Sequence, residues 1–355
     1  MDFTYNFPAV KGIQAGRDYY IMMIPLKYLV KLLPEPTEYI PPQYRAQRRL
    51  NETRIPDIKA YILENRESYV FSSLTASIDG DYTFLESKEL ANTGLLKISM
   101  DAKLLINDGQ HRRAAIAQAL LEDESLGEET ISVVLFEDRG LEKSQQMFTD
   151  LNMNAQKSSN SINTCYETRN PLAVLTKEIV REIPFLSKYT DFEKDNLGKN
   201  SSKLFTLYTL FRVNKKIIGN VEIINGDEEF LKDFWILITE NIPEWIDLED
   251  RTINKSTLRE EYVTTLGVTL LSFSRIGIWL YQNRDKKMDK YLKKLRNIDW
   301  SRNNKAWNNR IIRDDGKIMN NENAVILAGN YIKKCLGMPL TKDEEKREET
   351  IKVVD

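Results

Sequence analysis

Histidine and cysteine are nearly absent from this chain of 355 residues, which contains one histidine, His111, and two cysteines, Cys165 and Cys335. The two cysteines lie far apart and form no CxxC pair, so the sequence predicts neither a disulfide framework nor a cysteine-ligated cluster. Zinc sites are built mainly from cysteine and histidine, so a zinc site is not expected either. No metal-ligating residue is therefore assigned from the sequence.

A secretory leader and a long uncharged apolar run are also lacking. The first residues, MDFTYNFPAV, show no basic stretch followed by an apolar one, so no signal peptide is expected. The most apolar long window, residues 262–281, is interrupted by Arg275 and several hydroxyl side chains, and it predicts a buried helix rather than a membrane span. These features predict a cytoplasmic protein without a membrane partner.

Neither sign of charge is in excess, since 51 lysines and arginines face 53 aspartates and glutamates, for a formal net charge of −2. Any surface for nucleic acid must then be a local patch within a balanced whole. The hydrophobic share of 41% is ordinary for a folded protein, and the length suffices for two domains with their own cores.

The pattern of the chain changes near residue 170. Before it, strand-like runs at 19–24 and 131–137 alternate with helical patterns at 25–33 and 54–69, and Asp79-Gly80 predicts a turn with residues 82–85 as the returning strand. From Pro171 onward, helical patterns follow one another. The sequence therefore predicts an α+β fold, with an α/β domain over 1–170, a mostly α-helical domain over 171–340 and a charged, frayed tail over 341–355.

The stretch LLINDGQHRRAAIAQALL, residues 104–121, places the single histidine where a strand turns directly into a helix. The backbone N–H groups and the positive dipole end of a helix start attract anions, and Gly109 would let a ligand approach the backbone closely. Arg112 and Arg113 add positive charge that opposes the dipole, which favours a phosphate-bearing ligand. A capped turn followed by a solvated basic cluster explains the same residues about equally well.

Several of these residues have more than one candidate role. His111 could assist proton transfer in phosphoester chemistry or only donate a hydrogen bond to a phosphate. Asp108 could hold Mg²⁺, orient His111 or cap the helix, and the cap is favoured. The candidate catalytic residues are Asp108, His111 and Arg112. The candidate phosphate- or nucleotide-binding residues are Gly109, Gln110, His111, Arg112, Arg113, Asn152 and Asn154, the last two from an amide-rich segment that could also be an ordinary helix end.

Two basic clusters are candidates for contact with DNA. The first contains Arg48, Arg49 and Arg54, for which a solvated linker and helix start is the favoured alternative. The second, over 284–313, carries eleven basic and three acidic residues together with Trp300 and Trp307, a combination that suits phosphates and base stacking. The tryptophans could instead anchor the segment to the helical domain. The predicted contacts of the second cluster are Lys293, Lys294, Arg302, Lys305, Trp307 and Arg310.

The run Asp108-Gly109-Gln110-His111-Arg112 is the signature of the DGQHR-domain proteins, among which the chain resembles the DndB family of DNA sulfur modification proteins. The resemblance extends in order through FPAVKGIQAGRDYY, RAQRRLNETRIPDIKAYIL, YVFSSLTASIDGDYTF, MFTDLNMNAQKSSNSI and IDWSRNNKAWNNRII. It implies a ParB/sulfiredoxin-like N-terminal domain, in which a Gly-x-x-Arg turn holds phosphates. Gln110 stands where sulfiredoxins have their cysteine nucleophile, so peroxiredoxin repair is not expected.

The resemblance implies a DNA-binding accessory protein and transcriptional regulator of a bacterial DNA phosphorothioation system. Its expected partners are double-stranded DNA, including its own operon promoter, and other phosphorothioation proteins. The alternative is an enzyme of the same system that hydrolyses a nucleotide or nicks DNA, with ATP or CTP and Mg²⁺ as candidate cofactors. The sequence has no Walker A loop and no clear carboxylate pair to support the enzyme. It has no recognisable helix-turn-helix to support the regulator.

Overall fold

A computed structural model describes residues 3–33, 50–138, 140–153, 158–198, 200–219 and 223–351, without the side chains of residues 152 and 153. The chain is divided into two compact units, Met1–Gln156 (unit 1) and Lys157–Asp355 (unit 2). The division lies ahead of the predicted boundary at residue 170. The reason is helix α5 (Asn160–Tyr166), which packs against α8 (Leu207–Ile218) inside unit 2.

Unit 1 is built on a sheet of seven strands. These are β1 (Thr4–Gln14), β2 (Arg17–Pro25), β3 (Leu74–Asp79), β4 (Tyr82–Glu86), β5 (Thr93–Ser99), β6 (Lys103–Asp108) and β7 (Thr130–Glu137). They lie in the order β4-β5-β1-β2-β7-β3-β6, and each neighbouring pair is antiparallel except β3 with β7. The sheet, together with the helices of both units, confirms the predicted α+β class.

Two strand predictions differ from the structure. The turn at Asp79-Gly80 is present, with a φ of +133° at Gly80, but β4 is not the returning partner of β3. Strand β3 pairs with β6 and β7, whereas β4 pairs with β5. Strand β1 was not predicted; it contains Pro8 and Gly12, residues that are uncommon in a strand inside a sheet.

Four helices accompany this sheet. They are α1 (Leu26–Leu32), α2 (Ile55–Glu64), α3 (Gln110–Glu122) and α4 (Leu141–Met153). Helices α1 and α2 pack against α3, and α4 contacts β6. Alternate strand residues such as Met22 and Leu96 point into the core, where they meet Ala115 and Ala119 of α3. Only Gly109 separates the end of β6 from the start of α3, so the helix start lies directly beside the end of that strand.

Unit 2 consists mainly of helices. They are α5, α6 (Pro171–Glu182), α7 (Pro184–Tyr189), α8, α9 (Asp227–Thr239), α10 (Pro243–Glu249), α11 (Lys255–Glu261), α12 (Gly267–Gln282), α13 (Met288–Leu292), α14 (Glu322–Leu336) and α15 (Lys342–Glu348), with a short parallel pair of strands, β8 (Thr190–Asp191) and β9 (Phe205–Thr206). Helix α12 packs against α8 and α14 and is the buried helix predicted for the apolar window. Within the described residues, no helix combines the length and apolar character that a membrane crossing requires.

The tail predicted to be frayed contains an ordered helix. Helix α15 begins with a capping box between Thr341 and Glu344, and the Glu344 side chain is buried. Glu344 forms ion pairs with Lys333 at 2.7 Å and with Arg275 at 2.5 Å. The high charge of this segment, which suggested a solvated tail, instead provides the partners that fix it to α12 and α14.

The buried carboxyl of Glu244 makes the stability of unit 2 depend on pH. Burial, together with the nearby carboxylates of Asp247 and Asp299, raises the pKa of Glu244 to about 7, and its Oε2 has no hydrogen-bond partner among the described residues. Because the folded pKa lies above the unfolded value of 4.5, stability should fall as pH rises from about 4.5 to about 7.

Glu244→Gln should remove this loss, because its neutral amide replaces the ionisable carboxyl. We expect the variant to exceed the parent in free energy of unfolding at pH 8 by about 1–3 kcal/mol, measured by chemical denaturation at several pH values. Glu261→Gln, at an exposed carboxylate, is the matched control. Parallel pH profiles for the parent and Glu244→Gln would refute this account of Glu244.

Candidate functional site

The DGQHR turn connects the end of β6 to the start of α3. Gly109 is the N-cap residue of α3 and adopts a φ of +99°. A Cβ atom at this position would lie 2.1 Å from Cδ2 of Leu74, so glycine is required both for the backbone conformation and for the close approach of β3. The predicted strand-to-helix turn is therefore present.

Arg112 forms several hydrogen bonds from both ends of its guanidinium. One guanidinium nitrogen, Nη1, donates to the carbonyl and hydroxyl oxygens of Ser72 and to the carbonyl of Ser73. The other, Nη2, donates to the Asp108 carboxylate at 2.7 Å. The side chain is only 17% exposed. Arg112 thus ties α3 to the end of β6 and to the residues that precede β3, which is a structural role.

The favoured role of Asp108, capping the helix, is not what the structure shows. Gly109 occupies the N-cap position, and no side chain caps α3. The Asp108 carboxylate pairs instead with Arg112, four residues later. This pairing neutralises part of the positive charge that suggested an anion site.

His111 lies inside the protein, with 8% of its surface exposed. Its Nε2 accepts a hydrogen bond from the backbone N–H of Asn51 at 3.0 Å. An Nε2 atom that accepts a hydrogen bond carries no proton. Through this bond the imidazole holds the segment that leads into α2. To act as a base through Nε2, His111 would first have to release Asn51.

Arg113 lies away from the surface of the turn. It is 6% exposed, and its Nη2 donates to the carbonyl of Val30 in α1 at 2.9 Å. Successive helical residues point about 100° apart, which separates Arg113 from Arg112. Gly109 and Gln110 are half-buried and remain near the surface at the helix start.

The remaining predicted residues of unit 1 are only partly described. Arg48, Arg49 and Asn154 lie outside the described residues, and Asn152 is described only as part of the backbone of α4. Arg54 is exposed at the start of α2, three residues after the Asn51 amide that contacts His111. Within the described part of the chain, no acidic side chain pairs with Arg54.

The late basic cluster holds its tryptophans inside unit 2. Trp300 and Trp307 are both 0% exposed, and their rings stack with centroids 5.5 Å apart. Their indole N–H groups donate to the carbonyls of Leu295 and Asp299. Trp307, which was predicted to contact DNA, has no exposed surface in this structure, and both tryptophans anchor the segment, which was the alternative.

Three of the predicted cationic contacts are also turned toward the protein. Arg302 donates to the carbonyls of Tyr262 and Arg259, and Lys294 donates to the carbonyl of Leu336. Arg310 forms two hydrogen bonds to the Glu348 carboxylate. Burial lowers the pKa values of Arg302 and Arg310. These side chains support the fold rather than an open DNA surface.

An exposed group of cations remains between the residues just before α13 and the turn after it. It comprises Lys286, Lys287, Lys290, Lys293 and Arg296, named here the α13 basic surface. Lys293 pairs with Asp289, and Arg296 donates to the carbonyl of Glu240. Of this group, only Lys293 was among the predicted contacts; Lys305, also predicted, is exposed nearby in the chain. The missed signal is helical spacing, since the group lies opposite the buried Leu292 and Leu295.

The described parts of both units contain no group of three or more His, Cys, Asp or Glu side chains that could hold a metal ion. A family model described as DndB, DNA-sulfur modification-associated, matches residues 7–339, which extend through both units. Searches of the curated proteins and of the solved structures give no match.

Proposed function

The chain belongs to the DndB family of DNA-sulfur modification-associated proteins, and on this premise we propose that it binds double-stranded DNA as an accessory protein and transcriptional regulator of the phosphorothioation system. Its DNA would include its own operon promoter, and other phosphorothioation proteins would be further partners. The single observation that supports DNA binding best is the α13 basic surface.

The α13 basic surface has the properties of a phosphate-binding face. Lys290, Lys293 and Arg296 follow one another at a spacing of three residues in α13 and the 3-10 turn after it, and Lys286 and Lys287 directly precede the helix. Residues 285–297 contain two acids, Asp285 and Asp289. Lysines at helical spacing can follow a phosphate backbone and release its counterions, which supplies affinity without base contacts. The chain as a whole is slightly acidic, so a local concentration of cations of this kind is what DNA binding requires.

The DGQHR turn is proposed as a second phosphate contact. Helix α3 begins at Gln110, directly after Gly109 with its positive φ. The exposed Arg54 lies three residues after Asn51, whose backbone N–H bonds to His111. Arg112 would hold this turn in shape rather than bind the phosphate itself. We also propose that this domain has a ParB/sulfiredoxin-like fold. ATP or CTP with Mg²⁺ would then be a further ligand of the turn.

The alternative, an enzyme that hydrolyses a nucleotide or nicks DNA, receives less support. Of its three candidate catalytic residues, Asp108 and Arg112 pair with each other, and His111 accepts a hydrogen bond from the backbone of Asn51. A catalytic group needs to reach the proton or phosphate on which it acts. The regulator is therefore the function that the geometry supports best.

Reversing charge on the α13 basic surface should weaken DNA binding. For Lys290→Glu with Lys293→Glu we expect an affinity for duplex DNA about 10- to 100-fold lower than that of the parent. The logarithm of the affinity should also fall less steeply with the logarithm of the salt concentration, by the equivalent of about two phosphate contacts. Fluorescence anisotropy over a salt series measures both quantities. The matched control is Lys342→Glu with Lys346→Glu, which changes two exposed lysines of unit 2 by the same charge. Equal losses in the two double variants would refute a specific role for the α13 basic surface.

A further inference from the structure

The sheet of unit 1 has an apolar face on the side opposite its core. In β1 and β2, Phe7, Tyr20 and Met22 point into the core, so their neighbours Val10, Ile21 and Met23 point the other way. These three side chains are 50%, 39% and 49% exposed. Strands β1 and β2 lie in the middle of the sheet, where apolar side chains this exposed call for an explanation.

Strand pairing joins these side chains into continuous rows. One row runs through Val10, Ile21 and Val134, which are successive partners across β1, β2 and β7. A parallel row connects Leu85 to Leu95 and Leu95 to Pro8. The full set, named here the outer face, is Pro8, Val10, Tyr19, Ile21, Met23, Leu85, Leu95, Ser132, Val134 and Phe136.

The chemistry of the outer face favours a protein over a nucleic acid. None of its ten residues is charged, and the cations that strand alternation places on the same side of the sheet, Arg17 and Lys97, lie at its border. Depletion of charge with enrichment of apolar and aromatic side chains is typical of the core of a protein interface. Two copies of an uncharged face can also meet without like-charge repulsion.

The dimensions of the outer face favour another sheet over a single helix. The five neighbouring strands that carry it, β4, β5, β1, β2 and β7, span about 24 Å, which is more than twice the ~10 Å diameter of a helix. A second sheet packed at about −30° would cover the whole width. Two such faces of about 400 Å² each would bury about 800–1,000 Å² in total, which suits a weak, reversible dimer.

We propose that the outer face is a homodimer interface, in which the sheets of two copies pack face to face about a two-fold axis. In an isologous contact the same patch serves both partners, so residues close to the axis meet their own counterparts. This inference is independent of DNA binding. If both hold, the dimer would present two DNA-contacting surfaces, which suits a promoter with paired half-sites.

Sedimentation of the full chain over a concentration series tests the dimer. We expect the mass to rise toward twice the monomer value in the micromolar range, and Ile21→Glu to keep the chain monomeric. Leu121→Glu is the matched control, because Leu121 is 86% exposed on α3, away from the outer face, and it should dimerise like the parent. Met23→Lys gives an independent variant if Ile21→Glu lowers the melting temperature.

Mixing provides the sharper test. Ile21→Glu and Ile21→Lys should each be monomeric alone and should form a heterodimer together, because opposite charges then meet across the axis. A parent that stays monomeric at every concentration overturns the proposal. So does a dimer that survives Ile21→Glu, or one that Leu121→Glu disrupts equally.

Discussion

Arg112→Ala is expected to lower the free energy of unfolding of unit 1 by about 2–4 kcal/mol. The guanidinium satisfies oxygens of Ser72 and Ser73 and pairs with Asp108. Its removal leaves these acceptors without their donor in a site where the arginine side chain is only 17% exposed. Such losses exceed those of surface ion pairs, because the groups left behind are partly screened from water.

Thermal and chemical denaturation of the full chain measure this effect, with the transition of unit 1 followed separately if the two units unfold apart. Arg112→Lys should recover little of the loss, because the ammonium group of lysine lacks the planar guanidinium that donates to Ser72 and Asp108 at the same time. Arg54→Ala is the matched control and should leave stability unchanged. If Arg112→Ala is as stable as the parent but loses affinity for DNA or nucleotide, Arg112 is a phosphate ligand and the structural role is wrong.

Glu344→Ala is expected to destabilise unit 2 by about 3–5 kcal/mol. Lys333 and Glu344 are each 3% exposed in their side chains, and Arg275 contacts the same carboxylate. Without Glu344, the lysine is left as a buried charge with no carboxylate partner among the described residues. The variant also removes the capping box of α15.

Denaturation of Glu344→Ala, with Glu345→Ala as the exposed control on the same helix, measures the loss. The double variant Lys333→Ala with Glu344→Ala should lose less than the sum of the single variants, since each removes the partner of the other. Additive losses would show that the buried pair is not coupled.

The same carboxyl also predicts a pH effect. Burial alone would raise the pKa of Glu344, but hydrogen bonds from Lys333, the Thr341 amide and Arg275 hold it below the usual range. Its contribution is therefore present above the unfolded pKa and is lost as pH falls through the folded one.

The fold class and the DGQHR turn could be predicted because both depend on local pattern. The alternation of strand residues, the periodicity of helices and the Asp-Gly turn signals all depend on residues that are close together in the sequence. The pairing of β4 with β5 and of β3 with β7 depends on contacts distant in sequence, which local pattern does not specify. Strand β1 was also missed; it contains Pro8, and its pairing with β2 begins only at the next residue, Ala9.

The residue types of the candidate site could be predicted from the sequence, but the directions in which their side chains point could not. Arg112, Arg113 and Arg310 carry the charge that phosphate binding needs, yet each donates to a nearby acceptor of the protein. Trp307 has the ring that stacking needs, yet it is buried against Trp300. Which way a side chain points follows from the packing of helices that lie far apart in the sequence, and only the structure supplies it.

Competition between the chain's own operon promoter and a random duplex of equal length, at fixed salt, tests the regulatory function most directly. We expect the parent to prefer the promoter. We also expect Lys290→Glu with Lys293→Glu to weaken binding to both duplexes, because the α13 basic surface would contact phosphates common to them. Equal affinity of the parent for promoter and random duplex would contradict the role of a transcriptional regulator.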